Sequence, residues 1–157
     1  MRKIFTLAAA SLALAGCATV EVDNSPPLQV VEVISVPGKS SVQLCDSARD
    51  WVATSFRDSK AVIEVYDAER GKLIGKGGMS ARIFGGAQLP IRFTMTIDCK
   101  DGRIRAAFDN YLSQGFGDSW NPLMEDSTNR MKTQAEAETR RLLVSLGNKL
   151  SSKPTDF

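Results

Sequence analysis

LPIRFTMTIDC (Leu89 to Cys99), the link Lys100-Asp101-Gly102 and RIRAAFDN (Arg103 to Asn110) form the stretch on which the fold turns. In the first arm Ile91, Phe93, Met95 and Ile97 alternate with Arg92, Thr94, Thr96 and Asp98. A period of two sends alternate side chains to opposite faces of a strand, so this is a half-buried antiparallel strand. Asp-Gly tolerates the positive φ that a tight hairpin turn requires. The second arm returns Ile104, Ala106 and Phe108 to the apolar face. The opposite face, with Arg92, Thr94, Thr96, Arg103 and Arg105, is expected to be solvated.

The flanking sequence extends this sheet in both directions. Lys60 to Asp67 alternates Ala61, Ile63 and Val65 against Val62, Glu64 and Tyr66, and residues 68–71 make a turn. Lys72 to Phe84 continues as a strand that Gly85-Gly86 breaks. Further upstream, the Val- and Ile-rich run Leu28 to Val36 ends at Pro37-Gly38, a strand followed by a turn. Ser40 stands three residues before Gln43, the spacing of a capping box, and opens a helix. Leu44, Ala48, Trp51, Val52 and Phe56 form its apolar stripe, which makes Trp51 a core residue. Downstream, Leu112 to Leu123 reads as irregular. A final helix then carries Met131, Ala135, Glu138, Leu142, Leu146 and Leu150 at steps of three and four, with Leu143 widening the stripe and Glu138 at its margin. The order β-α-β-β-β-β-α predicts an α+β domain: a curled antiparallel sheet with two helices packed on one face.

The N-terminus has a different character. Met1-Arg2-Lys3 is followed by an apolar run, Ile4 to Leu14, too short to span a bilayer, and then by Ala15-Gly16-Cys17. This lipobox, Leu14-Ala15-Gly16-Cys17, resembles the signal of bacterial lipoprotein precursors. The resemblance implies cleavage between Gly16 and Cys17 and a diacylglyceryl thioether on Cys17, with acyl chains that join the protein to a membrane. Ala18, where an Asp typically retains enteric-type lipoproteins in the inner membrane, favours the outer membrane and a periplasm-facing protein. The expected organisation is a signal peptide over 1–16, a lipidated tether over 17–27, one domain over 28–150 and a tail over 151–157.

Loss of the signal removes Arg2 and Lys3, so the 20 basic and 18 acidic residues of the precursor balance to zero in the mature chain. A general nucleic-acid binder needs a basic excess to neutralise phosphates, so no nucleic acid is expected. The chain has no histidine, which excludes Ser-His and Cys-His pairs and every histidine-ligated metal site. No cofactor and no metal are expected. Cys45 and Cys99 remain once Cys17 is lipidated. In an oxidising periplasm they pair; otherwise they are two buried thiols, the arrangement adopted here because their separation says nothing about proximity.

Three constellations invite chemistry. Gly75-Lys76-Gly77-Gly78 does not fit a phosphate loop, because Gly71 stands five residues before Lys76 where the motif needs six, and no Ser or Thr follows the lysine. Its glycines mark instead a bulge, a bend or a close approach by a helix. Asp98, Asp101 and Asp109 surround one hairpin and read as a solvated face, and no spacing singles out a carboxylate pair or a Ser-Lys pair. The segment from Ser113 to Pro122 sets Phe116 and Trp120 among glycines. Either the two rings anchor a protein partner or the lipid interface, or they fold back and cap the core.

Val36-Pro37-Gly38, Trp51 and Phe56, the run Gly71-Lys72-Leu73-Ile74-Gly75-Lys76-Gly77, and Lys100-Asp101-Gly102-Arg103 resemble a family of bacterial, often lipid-anchored, proteins of unknown function. The resemblance spans about residues 28 to 146 and implies a TBP-like fold. It brings no catalytic or binding residues, and DNA binding does not follow from topology alone. The expected function is that of a lipid-anchored envelope binding or adaptor module with an envelope protein partner. The alternatives are an envelope enzyme with a histidine-free site, for which nothing converges, and an assembly or structural lipoprotein.

Overall fold

The computed structural model describes residues 25–56, 62–125 and 130–152. The lipobox with Gly16 and Cys17, most of the tether, the expected strand start at Lys60 and Ala61, and the tail from 153 onward lie outside the described residues. The elements run β1 (Val30–Ser35), α1 (Ser41–Ser55), β2 (Val62–Asp67), β3 (Lys72–Arg82), β4 (Gln88–Lys100), β5 (Arg103–Gln114), β6 (Trp120–Pro122) and α2 (Met131–Ser151). Their order in the sheet is β1-β5-β4-β3-β2, every pair antiparallel, with β6 also pairing with β5. Both helices cover one face. The α+β architecture is the expected one, with two differences. The glycine break after β3 is a short 3-10 turn, Phe84–Gly86, and the supposedly irregular segment contains a sixth strand.

The core forms where the two periodicities meet. Ile91, Phe93, Met95, Ile97 and Cys99 of β4 and Ile104, Ala106 and Phe108 of β5 point toward the helices and are buried. Helix α1 begins at the expected capping box: Ser40 Oγ accepts from the Gln43 N–H at 3.3 Å, and Gln43 Oε1 accepts from the Ser40 N–H at 3.0 Å. Leu44, Ala48, Trp51 and Val52 are buried, and Trp51 Nε1 donates to Ser145 Oγ of α2 at 3.1 Å, tying the helices together. In α2 the expected stripe gains Thr139 at its centre. Ala135, Thr139, Leu143, Leu146 and Leu150 are buried, whereas Glu138 and Leu142 sit at the margin. Thr139 takes the central place because its hydroxyl has partners: it donates to the Ala135 carbonyl at 2.8 Å and lies 2.7 Å from the Tyr111 hydroxyl.

Phe93 organises the middle of this core. Its ring meets Phe108 at 5.5 Å, Tyr111 at 5.8 Å and Phe56 at 6.2 Å between centroids. It fits only because β3 has no side chain opposite it. A Cβ on Gly77 would stand 2.3 Å from Phe93 Cζ. The glycine run therefore marks a close approach, by an aromatic ring rather than by a helix, and Lys76 points the other way to an ion pair with Glu64 at 2.6 Å. A bulge in β5, where Asn110 takes φ 50°, inserts one residue between the pairs Thr94–Asp109 and Arg92–Leu112. That extra residue turns both Phe108 and Tyr111 inward.

Cys45 of α1 and Cys99 of β4 form a disulfide, with their Cα atoms 5.8 Å apart. The expectation of two separate thiols is overturned. Cys45 lies one position after Leu44 on the buried side of α1, directly over the inward-facing end of β4, an approach that sequence distance could not reveal. In the chain-entropy treatment, a crosslink closing a loop of this length stabilises the fold by about 4 kcal/mol. The same end of the molecule is fastened twice more. Asp101 Oδ1 accepts from the Ser41 N–H at 2.8 Å, placing a carboxylate at a helix N-terminus that has no acid of its own. The Lys39 ammonium donates to the Leu150 and Ser152 carbonyls at the C-terminus of α2.

Two outcomes follow from this packing. Gly77→Ala is expected to lower stability by about 1–3 kcal/mol, the usual cost of overpacking a filled core, as measured by chemical denaturation. Burial, helped by the carboxylates of Asp109 and Glu136, pushes the Tyr111 hydroxyl from its ordinary value of 10.0 up to about 12. The native state therefore holds its proton longer than the unfolded chain. Stability from this group is complete below pH 10 and is lost as pH rises toward 12, by on the order of 2 kcal/mol. Denaturation titrations over that range should show a steep decline that is absent in Tyr111→Phe.

Candidate functional site

Among the described residues, one face of the sheet has no helix over it, and the strand register specifies what it shows. Val31 pairs with Ala107, Ala107 with Thr96, Thr96 with Ile74, and Ile74 with Val65. A row of small and apolar side chains thus crosses all five main strands, with Val31 and Val65 each 43% exposed. The neighbouring row reads Val33, Arg105, Asp98, Lys72 and Asp67. Asp98 is half-buried between two cations, with Lys72 Nζ at 2.8 Å and Arg105 Nη1 at 3.5 Å. Arg92, Thr94, Thr96, Arg103 and Arg105 lie on this face as expected. The face is solvated but not polar throughout, because Val33, at 58% exposure, joins the apolar row beside it. Sequence reading missed this because Val30 to Ile34 is apolar on both faces, apart from Glu32, and offers no alternation.

Where this face meets the β4–β5 turn, a cavity of about 420 Å³ opens among Val33, Arg70, Gly71, Lys100, Arg103 and Arg105, with Asp98 in its wall. Gly71, at φ 65°, leaves room there for the chain: a Cβ would lie 2.2 Å from the Cys99 carbonyl oxygen. Arg70 pairs with Asp67 at 3.5 Å, and four cations share the cavity rim with one acid. The chemistry suits an anionic or carboxylate-bearing group. The three aspartates of the hairpin do not converge. Asp98 is ion-paired, Asp101 caps α1, and Asp109 pairs in register with Thr94, further along the sheet. Among the described residues no group of three potential metal ligands comes together.

The aromatic segment does not fold back over the core. Strand β5 continues to Gln114, and β6 returns with Trp120 opposite Gln114. The intervening turn is ordered by its own bonds: the Gly115 N–H to the Ser119 carbonyl at 2.9 Å, Ser119 Oγ to the Phe116 carbonyl at 3.0 Å, and Gln114 Nε2 to the Gly117 carbonyl at 3.3 Å. Phe116 projects from it with full exposure. Trp120 lies half-buried on the open face, with the Arg92 guanidinium stacked 3.8 Å above its ring. Neither ring caps the core, a task that falls to Leu123 and Tyr111. Phe84, 87% exposed on the β3–β4 turn, is a second aromatic tip. Reading it as the last residue of a strand missed it, although a large ring directly before Gly85-Gly86 was the available signal.

The topology of this domain, its glycine-lined strand and its β4–β5 hairpin coincide with a known family model, which matches residues 31–112 and is described as a domain of unknown function, DUF4468, with a TBP-like fold. The chain belongs to that family. The matched residues hold β1 to β5 up to Leu112 together with α1, so the DUF4468 match ends before Phe116, Trp120 and α2. Two crystal structures are similar to the whole arrangement. One is a TBP-like protein from Parabacteroides distasonis, with a TM-score of 0.59 and 11% identity over 78% of this chain and 94% of that one. The other is a DUF4468 family protein from Bacteroides ovatus, with a TM-score of 0.54 and 15% identity over 88% of this chain and 93% of that one. At these identities the likeness is one of fold. No curated protein matches the chain in sequence.

The exposure of the two aromatic residues separates their roles. Phe116→Ala is expected to change stability by no more than about 0.5 kcal/mol, as for other exposed positions. Trp120→Ala should cost about 1 kcal/mol through loss of the stacked Arg92. Thermal unfolding of the two single variants checks both values, and a large loss on Phe116→Ala would return that ring to the core.

Proposed function

We propose that this protein is a lipid-anchored cell-envelope lipoprotein, joined to the membrane through Cys17 and working as a binding module. The observation that carries the binding role is the uncovered sheet face: an apolar row from Val31 to Val65 beside a cavity rimmed by Arg70, Lys100, Arg103 and Arg105. A partner of matching chemistry is an envelope protein that offers an acidic segment next to apolar side chains. Support for the compartment comes from the Cys45–Cys99 disulfide, since such bonds persist outside the reducing cytoplasm. The lipobox supplies the anchor, and Ala18 favours the outer membrane, periplasm-facing.

Two measurements in the producing bacterium test the proposal. Radiolabelled fatty acid should appear on the wild-type chain and vanish with Cys17→Ser; an unlabelled wild type refutes the anchor. A photo-crosslinking amino acid at Val33 should capture an envelope protein, and Arg103→Glu should abolish that adduct. The same reporter at Val144, exposed on α2, serves as the control. Capture that is absent at Val33, or equal at Val144, refutes the open face as the partner surface.

A further inference from the structure

The sheet has two unlike ends. One holds the turns at Pro37-Gly38, residues 68–71 and Lys100–Arg103, together with the start of α1 and the end of α2. The other holds the β3–β4 and β5–β6 turns. Register places them together: β3 and β4 remain paired as far as Arg82 and Gln88, and β5 reaches Ser113 opposite Ile91 and ends one residue later. The start of α2 lies at this end too, since the Gln134 side chain bonds both backbone groups of Arg82. So does the incoming chain. Lys132 Nζ, in the first turn of α2, donates to Ser25 Oγ and to the Pro26 carbonyl.

We infer that the end carrying Phe84 and Phe116 is the membrane-contacting surface of the protein, with both rings seated in the lipid interface. This rests on the lipid-anchor reading of Cys17 and adds to it an orientation and two contact residues. Seven residues separate Cys17 from Ser25, eight steps along the chain, and a fully extended chain covers at most about 3.6 Å per step. An anchor on Cys17 therefore keeps Ser25 within about 30 Å of the bilayer, and the end where Ser25 docks is the one brought to the surface. That end bears the exposed aromatic rings of the described residues, Phe84 at 87% and Phe116 at 103%, and also the half-exposed Met124. The opposite end presents Arg70, Lys100 and Arg103 instead.

Both rings stand on turns with glycine at positive φ, at Gly85, Gly86 and Gly117, so they project from narrow tips that enter an interface with little backbone to desolvate. Arg82, Arg92 and Arg130 are exposed near the same end, where guanidinium groups meet lipid phosphates. Asp118 and Glu125 also lie there, so the attraction to anionic lipid is partial. With this orientation the open sheet face stands upright from the membrane and its cationic cavity lies at the far end, within reach of a periplasmic partner.

The test uses the full mature chain, purified from membranes and reconstituted in phosphatidylcholine–phosphatidylglycerol vesicles. Tryptophan is introduced singly as Phe84→Trp, Phe116→Trp or, at an exposed position far from the tips, Val33→Trp. Lipids brominated on their acyl chains quench only rings that enter the interface. Seated about 5–10 Å deep, the reporters at 84 and 116 should lose more than about half of their added emission and be shielded from aqueous acrylamide. The reporter at 33 should show the reverse. If the reporters at 84 and 116 behave like the one at 33, or are shielded from acrylamide without quenching by brominated lipid, the inference is overturned and the tips face water or protein. Fatty-acid labelling of Cys17 in the same preparation separates the two claims. Label without quenching leaves the anchor and refutes the contact; quenching without label refutes the anchor and leaves the contact.

Discussion

The aromatic ring of Phe93 occupies volume that β3 has left vacant, and much of the architecture is arranged around that one contact. Gly77 must lack a side chain for the ring to lie flat against β3. Asn110 must take a left-handed backbone conformation so that β5 shifts by one residue and offers Phe108 and Tyr111 to the same ring. Helix α1 must end where Phe56 reaches the ring from above, while Trp51 meets Phe56 edge-on at 5.7 Å. A glycine in one strand, a bulge in another and the aromatic pair at a helix end are therefore parts of a single packing solution. Native cores are filled to nearly crystalline density, so none of these parts can change alone without leaving a void or a clash.

What could be read in the sequence follows from how local each cause is. The β4–β5 hairpin and the capping box at Ser40 depend on neighbours within a few residues, and both stand as expected. The place of Thr139 in the α2 stripe could not be read, because Thr139 is held there by Tyr111, 28 residues away. Likewise nothing near Cys45 indicates that the inward side of β4 brings Cys99 to it. The sixth strand is only three residues long and includes a proline, so it carries no periodicity, and its existence depends on the edge of β5 that β1 leaves unpaired beyond Val30. The family resemblance is carried by turn residues and glycines, where backbone constraint leaves little freedom of composition, together with the core rings Trp51 and Phe56.

The family model stops at Leu112, yet the domain cannot be complete there. Thr139, Leu143, Leu146 and Leu150 of α2 cover the half of the sheet that α1 leaves open, and Trp51 needs Ser145 as the acceptor for its indole N–H. The matched portion thus holds the five-stranded frame and the first helix, while the closing layer and the β5–β6 turn lie beyond it. Helix α2 can vary at most exposed positions as long as its stripe stays apolar. The turn that carries Phe116 makes no packing demand at its tip, so the physics of folding does not explain why a phenylalanine stands there.

An exposed phenylalanine is uncommon but not costly, and a single one needs no functional account. Here the placement is what matters. Fasteners collect at the end of the sheet opposite Phe84 and Phe116: the disulfide, the Asp101 cap and the Lys39 bonds to α2. The end bearing the rings is held instead by Gln134 on Arg82 and Lys132 on the incoming chain. Stability is thereby concentrated away from the tips. A domain so arranged can bring one end against a surface while its open sheet face, running perpendicular to that end, keeps its register. The Arg92–Trp120 stack sits where the face meets the tips. In the orientation proposed above, attachment and recognition would occupy separate parts of one sheet.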